Sequence, residues 1–147
     1  MACPFFMPTQ KSEAAFWPHP SRLPLGAGWD GRCFAPGHEG IEPAPEELRD
    51  GCNLGYPKNC PKLPKERSCD AVRFGVARDT GTRVHLLFVC EAKHLPMQHG
   101  TLEYDASLAT WISPHPDPRI QKMAECYLES YRARKNQNST SSTIDER

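Results

Sequence analysis

Residues 70–90 read DAVRFGVARDTGTRVHLLFVC, and this stretch sets the architecture of the chain. Val72, Phe74 and Val76 occupy alternate positions, and a turn-forming run at 79–82 follows them. A second apolar segment, beginning at Val84, follows that run. Apolar residues at a period of two on both sides of a short Gly-containing turn predict a β-hairpin.

The second strand of this hairpin is expected to be central in its sheet. Four of its residues would share one face: Val84, Leu86, Phe88 and Cys90. Leu87 and Val89 make the opposite face partly apolar too, as is common for a strand with neighbours on both sides. We expect a third strand at 101–104 and a short fourth piece at 111–112, with a loop at 94–99 between them and the hairpin.

A C-terminal helix is the strongest helical signal. Asp117 can cap it, Pro118 suits its first position, and its apolar residues follow a period of 3.6. These residues are Ile120, Met123, Ala124, Tyr127, Leu128 and Tyr131. The fold class predicted is therefore α+β, a small antiparallel sheet packed by one C-terminal amphipathic helix.

The first half of the chain has a different composition. Residues 1–65 hold eleven of the fifteen prolines and seven of the ten glycines, without a sustained period, which predicts a long loop-rich, Pro-rich arm. One short helix is expected at 45–50, ending just before Cys52. The predicted organisation is one domain: a Cys/Pro-rich metal-binding arm (1–65), an α+β core (66–135) and a disordered tail (136–147).

Composition narrows the possible partners. Lys plus Arg equals Asp plus Glu at 18 each, so the sequence predicts neither a nucleic-acid partner nor an anionic membrane surface. No apolar run approaches the roughly 20 residues that span a bilayer, and the N-terminus lacks the pattern of a signal peptide. We therefore expect a cytoplasmic protein, for which a protein redox partner is conceivable.

Seven cysteines in a reducing compartment indicate metal ligation or inert burial rather than disulfides. Cys3, Cys33, Cys52 and Cys60 fall in the arm, separated by 29, 18 and 7 residues, and Cys3 and Cys60 each precede Pro. The same Cys-Pro dipeptide closes the ligand run of bacterial ferredoxins, which is the extent of the resemblance.

Physical considerations favour a metal on these four thiols. An arm without regular structure loses roughly 1–2 kcal/mol of backbone entropy per ordered residue, which metal binding could offset. Gly31 and Gly55 would let the backbone approach sulfur. An apolar shell would limit solvent access to the centre. The arm's large aromatic residues are candidates for this shell: Phe5, Phe6, Phe16, Trp17, Trp29, Phe34 and Tyr56.

The predicted cofactor is an iron–sulfur cluster, with 4Fe–4S favoured and zinc as the alternative. Structural zinc sites usually contain a Cys-x₂₋₄-Cys knuckle, which is absent here. The function hypothesis is accordingly a cluster-binding protein in electron transfer or redox sensing. A zinc-stabilised or metal-free protein-interaction module is the second hypothesis. An enzyme that uses His94 or His99 has the least support, because no catalytic motif surrounds them.

The other three cysteines are expected to play lesser roles. Cys90 has the register of a buried strand residue and is interpreted as a small hydrophobe. Cys126 lies off the apolar stripe of the helix, which predicts a partly exposed thiol. Cys69 is the best substitute if one of the four arm cysteines is not a ligand, and Cys126 could also reach a cluster from the helix edge.

Overall fold

The structure is a computed structural model that describes residues 2–13, 23–56 and 60–145, with only the backbone described for 137–145. Within these ranges six strands form two antiparallel sheets, in the orders β1-β2 and β3-β4-β5-β6. The strands are β1 (Phe6–Lys11), β2 (Trp29–Cys33), β3 (Ala71–Asp79), β4 (Arg83–Ala92), β5 (Leu95–Asp105) and β6 (Thr110–Ser113). A short helix α1 (Pro45–Glu47) runs into a π-helical turn (Leu48–Cys52), and a long helix α2 (Pro118–Asp145) ends the described chain. The α+β prediction is confirmed.

The hairpin of β3 and β4 is present as predicted, with β4 between β3 and β5. Its predicted inner face is buried throughout, at Val84, Leu86, Phe88 and Cys90. The third and fourth strands are also present, although β5 is longer than expected because it begins at Leu95. The loop predicted at 94–99 is wrong. Lys93 and His94 make a two-residue turn with positive φ, a geometry for which Gly or Asn is the usual sequence signal.

Helix α2 begins as predicted, since the Asp117 carboxylate accepts the Arg119 N–H at 2.9 Å. Its backbone continues to Asp145, ten residues beyond the predicted end at Lys135. The disorder expected for 136–147 stays a prediction. No helix in the described part of the chain is both long and apolar enough to cross a bilayer.

The first half of α2 is covered on two sides. Toward the sheet, the Tyr127 ring stacks on Phe74 at 5.8 Å between centroids. On another side the arm packs so closely that a Cβ on Gly26 would lie 2.5 Å from that of Ser130. Cys126 lies one turn before Ser130 and is buried, so its predicted exposure is wrong. A single apolar stripe predicts that a helix packs on one layer, here the sheet. The arm packs on this helix as a second layer.

The arm is less irregular than its composition predicts, because β1 and β2 pair antiparallel from Phe6–Cys33 to Lys11–Trp29. Pro8 and Gly31 interrupt any alternating pattern in these strands, which is why the prediction of a mostly loop-like arm missed them. Gly31 allows their close approach, since a Cβ there would lie 2.2 Å from the Met7 carbonyl oxygen. The prediction that a metal on the cysteines organises the arm is not confirmed.

Replacing Gly31 by Ala is expected to lower the free energy of unfolding by about 1–3 kcal/mol, because β1 must move away from the new methyl group. Urea unfolding measures the effect. Gly75→Ala is the matched control in β3, where an added Cβ meets nothing within 4 Å. That control should be neutral or stabilising by up to about 1 kcal/mol. Equal losses in both variants would contradict the steric explanation.

Candidate metal centre

The four predicted ligands line one cavity of about 620 Å³: Cys3, Cys33, Cys52 and Cys60. Three large apolar side chains, those of Phe5, Phe6 and Leu63, form part of the same wall. Cys3 and Cys33 are buried, whereas Cys52 and Cys60 are half-buried. Thiols that are far apart in sequence therefore border one largely apolar space, in which Cys52 and Cys60 are less buried than Cys3 and Cys33.

Backbone hydrogen bonds bring three of the four cysteine segments together. The Cys3 N–H donates to the Cys52 carbonyl at 3.1 Å. The Phe34 N–H, next to Cys33, donates to the Phe5 carbonyl at 2.7 Å. These bonds connect the segment after the N-terminus to the π-helical turn and to the end of β2, without any contribution from the sulfur atoms.

Asn53 makes a further connection that the sequence analysis missed. Its side chain is buried, accepts the Trp29 N–H at 3.0 Å and donates to the carbonyls of Trp29 and Leu48 at 3.1 and 2.9 Å. It thereby ties the turn that carries Cys52 to the strand that ends at Cys33. An Asn between Cys and Leu in a loop-rich segment is indistinguishable in sequence from an ordinary turn residue.

The fourth segment is held by an ion pair at the mouth of the cavity. Lys62, two residues after Cys60, donates to both oxygens of Glu47 at 2.8 and 2.9 Å. Glu47 also accepts the Ala44 N–H at 2.9 Å, which caps the start of α1. The short helix predicted at 45–50 thus delivers Cys52 from one end and anchors the Cys60 segment through its Glu47.

Two of the four sulfur atoms receive a backbone hydrogen bond from the residue two positions later. The Ala35 N–H donates to Cys33 Sγ at 3.5 Å. The Phe5 backbone makes the corresponding contact with Cys3 and acts to lower the pKa of that thiol. Donors of this kind favour the thiolate over the thiol.

Burial has the larger effect in the opposite direction. It raises the pKa of Cys3 to about 11, with smaller contributions from Cys33 and Cys60. It also raises the pKa of Cys52, helped by the charges that Cys3, Cys33 and Cys60 would carry as thiolates. The metal-free form therefore keeps Cys3 and Cys52 protonated at neutral pH, and a metal must displace their protons to bind.

No three His, Cys, Asp or Glu side chains are close enough together to hold a single metal ion, within the ranges that the structure describes. The four thiols border a common space without converging on one point. This arrangement differs from a structural zinc site, in which four ligands lie about 2.0–2.3 Å from one ion.

The remaining predicted residues are placed as follows. Phe5, Phe6, Tyr56 and Gly55 line the four-cysteine cavity, whereas Gly31 packs on β1. Phe16 and Trp17 lie outside the described residues. Cys69 and Cys90 line a different cavity. His94 stacks on Tyr56 at 4.1 Å and His99 lies exposed on β5, so neither histidine lines the four-cysteine cavity.

In comparisons with known proteins, no family model, no curated protein and no solved structure matches this chain. Any assignment of function therefore depends on the residues of the site themselves.

Replacing Asn53 by Asp is expected to lower the free energy of unfolding by at least about 2 kcal/mol at pH 7, because a buried carboxylate would face the two carbonyls that the amide now serves. Below the pKa of that carboxyl, the protonated group can donate again, so part of the loss should be recovered at pH 4. Asn53→Ala, measured alongside by urea unfolding, should show no such recovery. A deficit in the Asp variant that does not change with pH would contradict this role.

The raised thiol pKa of Cys3 predicts a stability loss at high pH in the metal-free protein. In the unfolded chain this thiol ionises near 9.0, and in the folded chain at about 11. Its contribution is therefore complete below pH 9 and is lost as the pH rises toward 11, by about 1 kcal/mol at pH 10. The measurement is the change in unfolding free energy between pH 7 and pH 10. Cys3→Ser should show a smaller change than the parent chain, and an equal change would contradict the assignment.

Proposed function

We propose that this chain binds a 4Fe–4S cluster through Cys3, Cys33, Cys52 and Cys60 and serves in electron transfer or redox sensing. The observation that carries the proposal is the shared cavity, because four thiols from separate segments border a single apolar space. Cysteine thiolates are the usual ligands of such clusters. A space lined by four of them, with no His among the described residues that line it, has the donor set that a cluster requires.

A cluster requires less convergence of the four thiols than a single zinc ion does. A zinc ion would draw four sulfurs to about 2.3 Å from one centre. The described residues contain no group that meets this requirement. A cluster has one iron for each cysteine, so its ligands surround a larger body and need not converge on a point.

Charges around the cavity act on thiolates in both directions: Glu47 acts to raise the pKa of Cys52, whereas Lys62 and Arg67 act in the opposite sense on other thiols. Lys62 lies near enough to Cys33 and Cys60 for their charges to raise its pKa, after the larger effect of Glu47. Arg67 acts on Cys3 in the favourable sense and lowers the pKa of that thiol. Backbone donors to the sulfur atoms at Cys3 and Cys33 add to this effect. Such contacts are also among the factors that set the reduction potential of a bound cluster.

When bound, the cluster would supply a centre that gains and loses single electrons. The protein's part is to hold the four ligands, exclude water from the Cys3 and Cys33 side, and leave the Cys52 and Cys60 side closer to the surface. Glu46 and Asp50 line the cavity beside this opening. A protein redox partner would dock here, in a reducing compartment such as the cytoplasm.

Anaerobic expression with iron, followed by iron and sulfide analysis and a visible spectrum, tests the proposal. We expect a brown protein with about four iron and four sulfide per chain, bleached by dithionite. Cys52→Ser and Cys60→Ser should each lower the iron content severalfold, because each removes a ligand. Cys126→Ala is the matched control, since Cys126 is buried in the core and does not line the cavity.

Two outcomes would contradict the proposal. A colourless protein that purifies with stoichiometric zinc would support the interaction-module hypothesis instead. Full iron content in both the Cys52 and Cys60 variants would show that other residues hold the metal. Circular dichroism on each variant separates the loss of a ligand from the loss of the fold.

A further inference from the structure

Two further cysteines, Cys69 and Cys90, lie outside the four-cysteine cavity and have no part in the proposed function. Cys69 and Cys90 line a separate cavity of about 410 Å³, together with Arg67, His115 and Arg119. Phe5 borders both cavities. Cys90 itself is buried and Cys69 is half-buried.

The start of β3 brings these two thiols together. Ala71 pairs with Glu91 across the sheet, and the Asp70 N–H donates to the Glu91 carbonyl at 2.6 Å. The Asp70 carboxylate accepts the Lys93 N–H at 2.7 Å. These contacts fix the backbone on the C-terminal side of Cys69 beside the end of β4, one residue from Cys90.

The two side chains interact directly. The Cys69 thiol lies near enough to Cys90 to affect its ionisation, in the sense that lowers the pKa of Cys90, while the pKa of Cys69 is raised. The Cys69 sulfur also lies 3.4 Å from the Ala71 carbonyl oxygen, to which it can donate. The pair therefore contains one thiol that ionises more readily and a neighbour that keeps its proton.

We propose that Cys69 and Cys90 form a reversible intramolecular disulfide when hydrogen peroxide enters their cavity. The Cys90 thiolate attacks one peroxide oxygen, the O–O bond breaks, and Cys90 becomes a sulfenic acid while the leaving oxygen takes a proton and departs as water. Cys69 then attacks the Cys90 sulfur, the S–O bond breaks, and its thiol proton leaves with that oxygen as a second water. Overall, two thiols are oxidised, one hydrogen peroxide molecule is reduced, and two water molecules form.

The cavity lining suits this chemistry. Cys90 is only 4% exposed, so a small oxidant such as hydrogen peroxide suits it better than a bulky one. Arg67 and Arg119 line the space, although each is paired with a carboxylate, Asp70 and Asp117 respectively. Asp117 opposes the ionisation of Cys90 and Cys69 favours it, with Cys69 having the larger effect.

Peptide mapping tests the proposal without ambiguity about the cysteines involved. Each of the seven cysteines falls in a different tryptic peptide, and residues 68–73 and 84–93 carry Cys69 and Cys90. The purified protein is treated with equimolar hydrogen peroxide, alkylated with N-ethylmaleimide, digested and analysed by mass spectrometry. We expect most of peptide 68–73 to be linked to 84–93, and dithiothreitol to reverse the link. Full alkylation of both peptides, or links mainly to other peptides, would overturn the proposal.

Single variants test the order of the two steps. In Cys69→Ser the sulfenic acid on Cys90 has no resolving thiol, so dimedone labelling of peptide 84–93 should rise severalfold over the parent chain. In Cys90→Ala, peptide 68–73 should remain unlabelled. Cys126→Ala should keep the Cys69–Cys90 link. Labelling of Cys69 but not Cys90 would overturn the proposed nucleophile. Peptides 68–73 and 84–93 contain none of the four arm cysteines. Failure to form the Cys69–Cys90 disulfide can therefore be distinguished from failure to bind a cluster.

Discussion

Residues 2–6 connect the arm to the core, and the position of the four-cysteine cavity depends on their backbone hydrogen bonds. On one side, Ala2 exchanges two backbone hydrogen bonds with Val72, at 2.7 and 2.8 Å, and so extends the edge of the larger sheet. On the other side, Cys3 bonds to Cys52, and Phe5 to Phe34. Phe6 then begins β1 and is almost fully buried. One short segment thus connects the core with the segments that carry Cys33 and Cys52, and its own Cys3 faces the cavity.

The position of residues 2–6 also explains why the four arm cysteines lie close to Cys69 and Cys90 but line a different cavity. Ala2, Val72 and Cys90 are neighbours across successive strands, and adjacent strands are about 4.8 Å apart. The backbone of Ala2, next to Cys3, is therefore roughly 10 Å from that of Cys90. Phe5 lines both cavities and separates the Cys69–Cys90 pair from the four arm cysteines. Sequence spacing gives no indication of this division, since Cys69 is only nine residues after Cys60.

The core could be predicted from the sequence because burial there follows simple periods. The inner-face residues of β4 recur at a period of two from Val84 to Cys90, and the cap at Asp117 is local. Contacts between segments that are far apart in sequence were not predictable in this way. A helix pattern does not reveal a second covering layer, so it predicts partial exposure for Cys126, which is buried. Pro8 and Gly31 remove the alternation on which strand prediction depends, so the sequence does not predict β1 and β2.

In the candidate site, too, residue types could be predicted from the sequence, whereas contacts between distant segments could not. Cys3, Cys33, Cys52 and Cys60 could be chosen for their residue type and loop-rich surroundings, whereas Asn53 and the Glu47–Lys62 pair act only through contacts that the fold creates. These contacts also change the reason for expecting a metal. The composition of the arm predicts that it needs a metal in order to be ordered, but hydrogen bonds from the backbone and from Asn53 already hold three of its cysteine segments.

A site that is assembled before the metal arrives has a definite physical consequence. The free energy of binding then need not offset the ordering of the whole arm, and its main opposing term becomes the removal of protons from buried thiols. Cys3 and Cys52 are stable in the metal-free fold because they are neutral, and burial raises the pKa of both. The apolar wall that would protect the proposed centre from water therefore also keeps these thiols protonated in the metal-free fold. Occupancy of such a site should increase with pH up to the point at which the thiolates destabilise the metal-free fold.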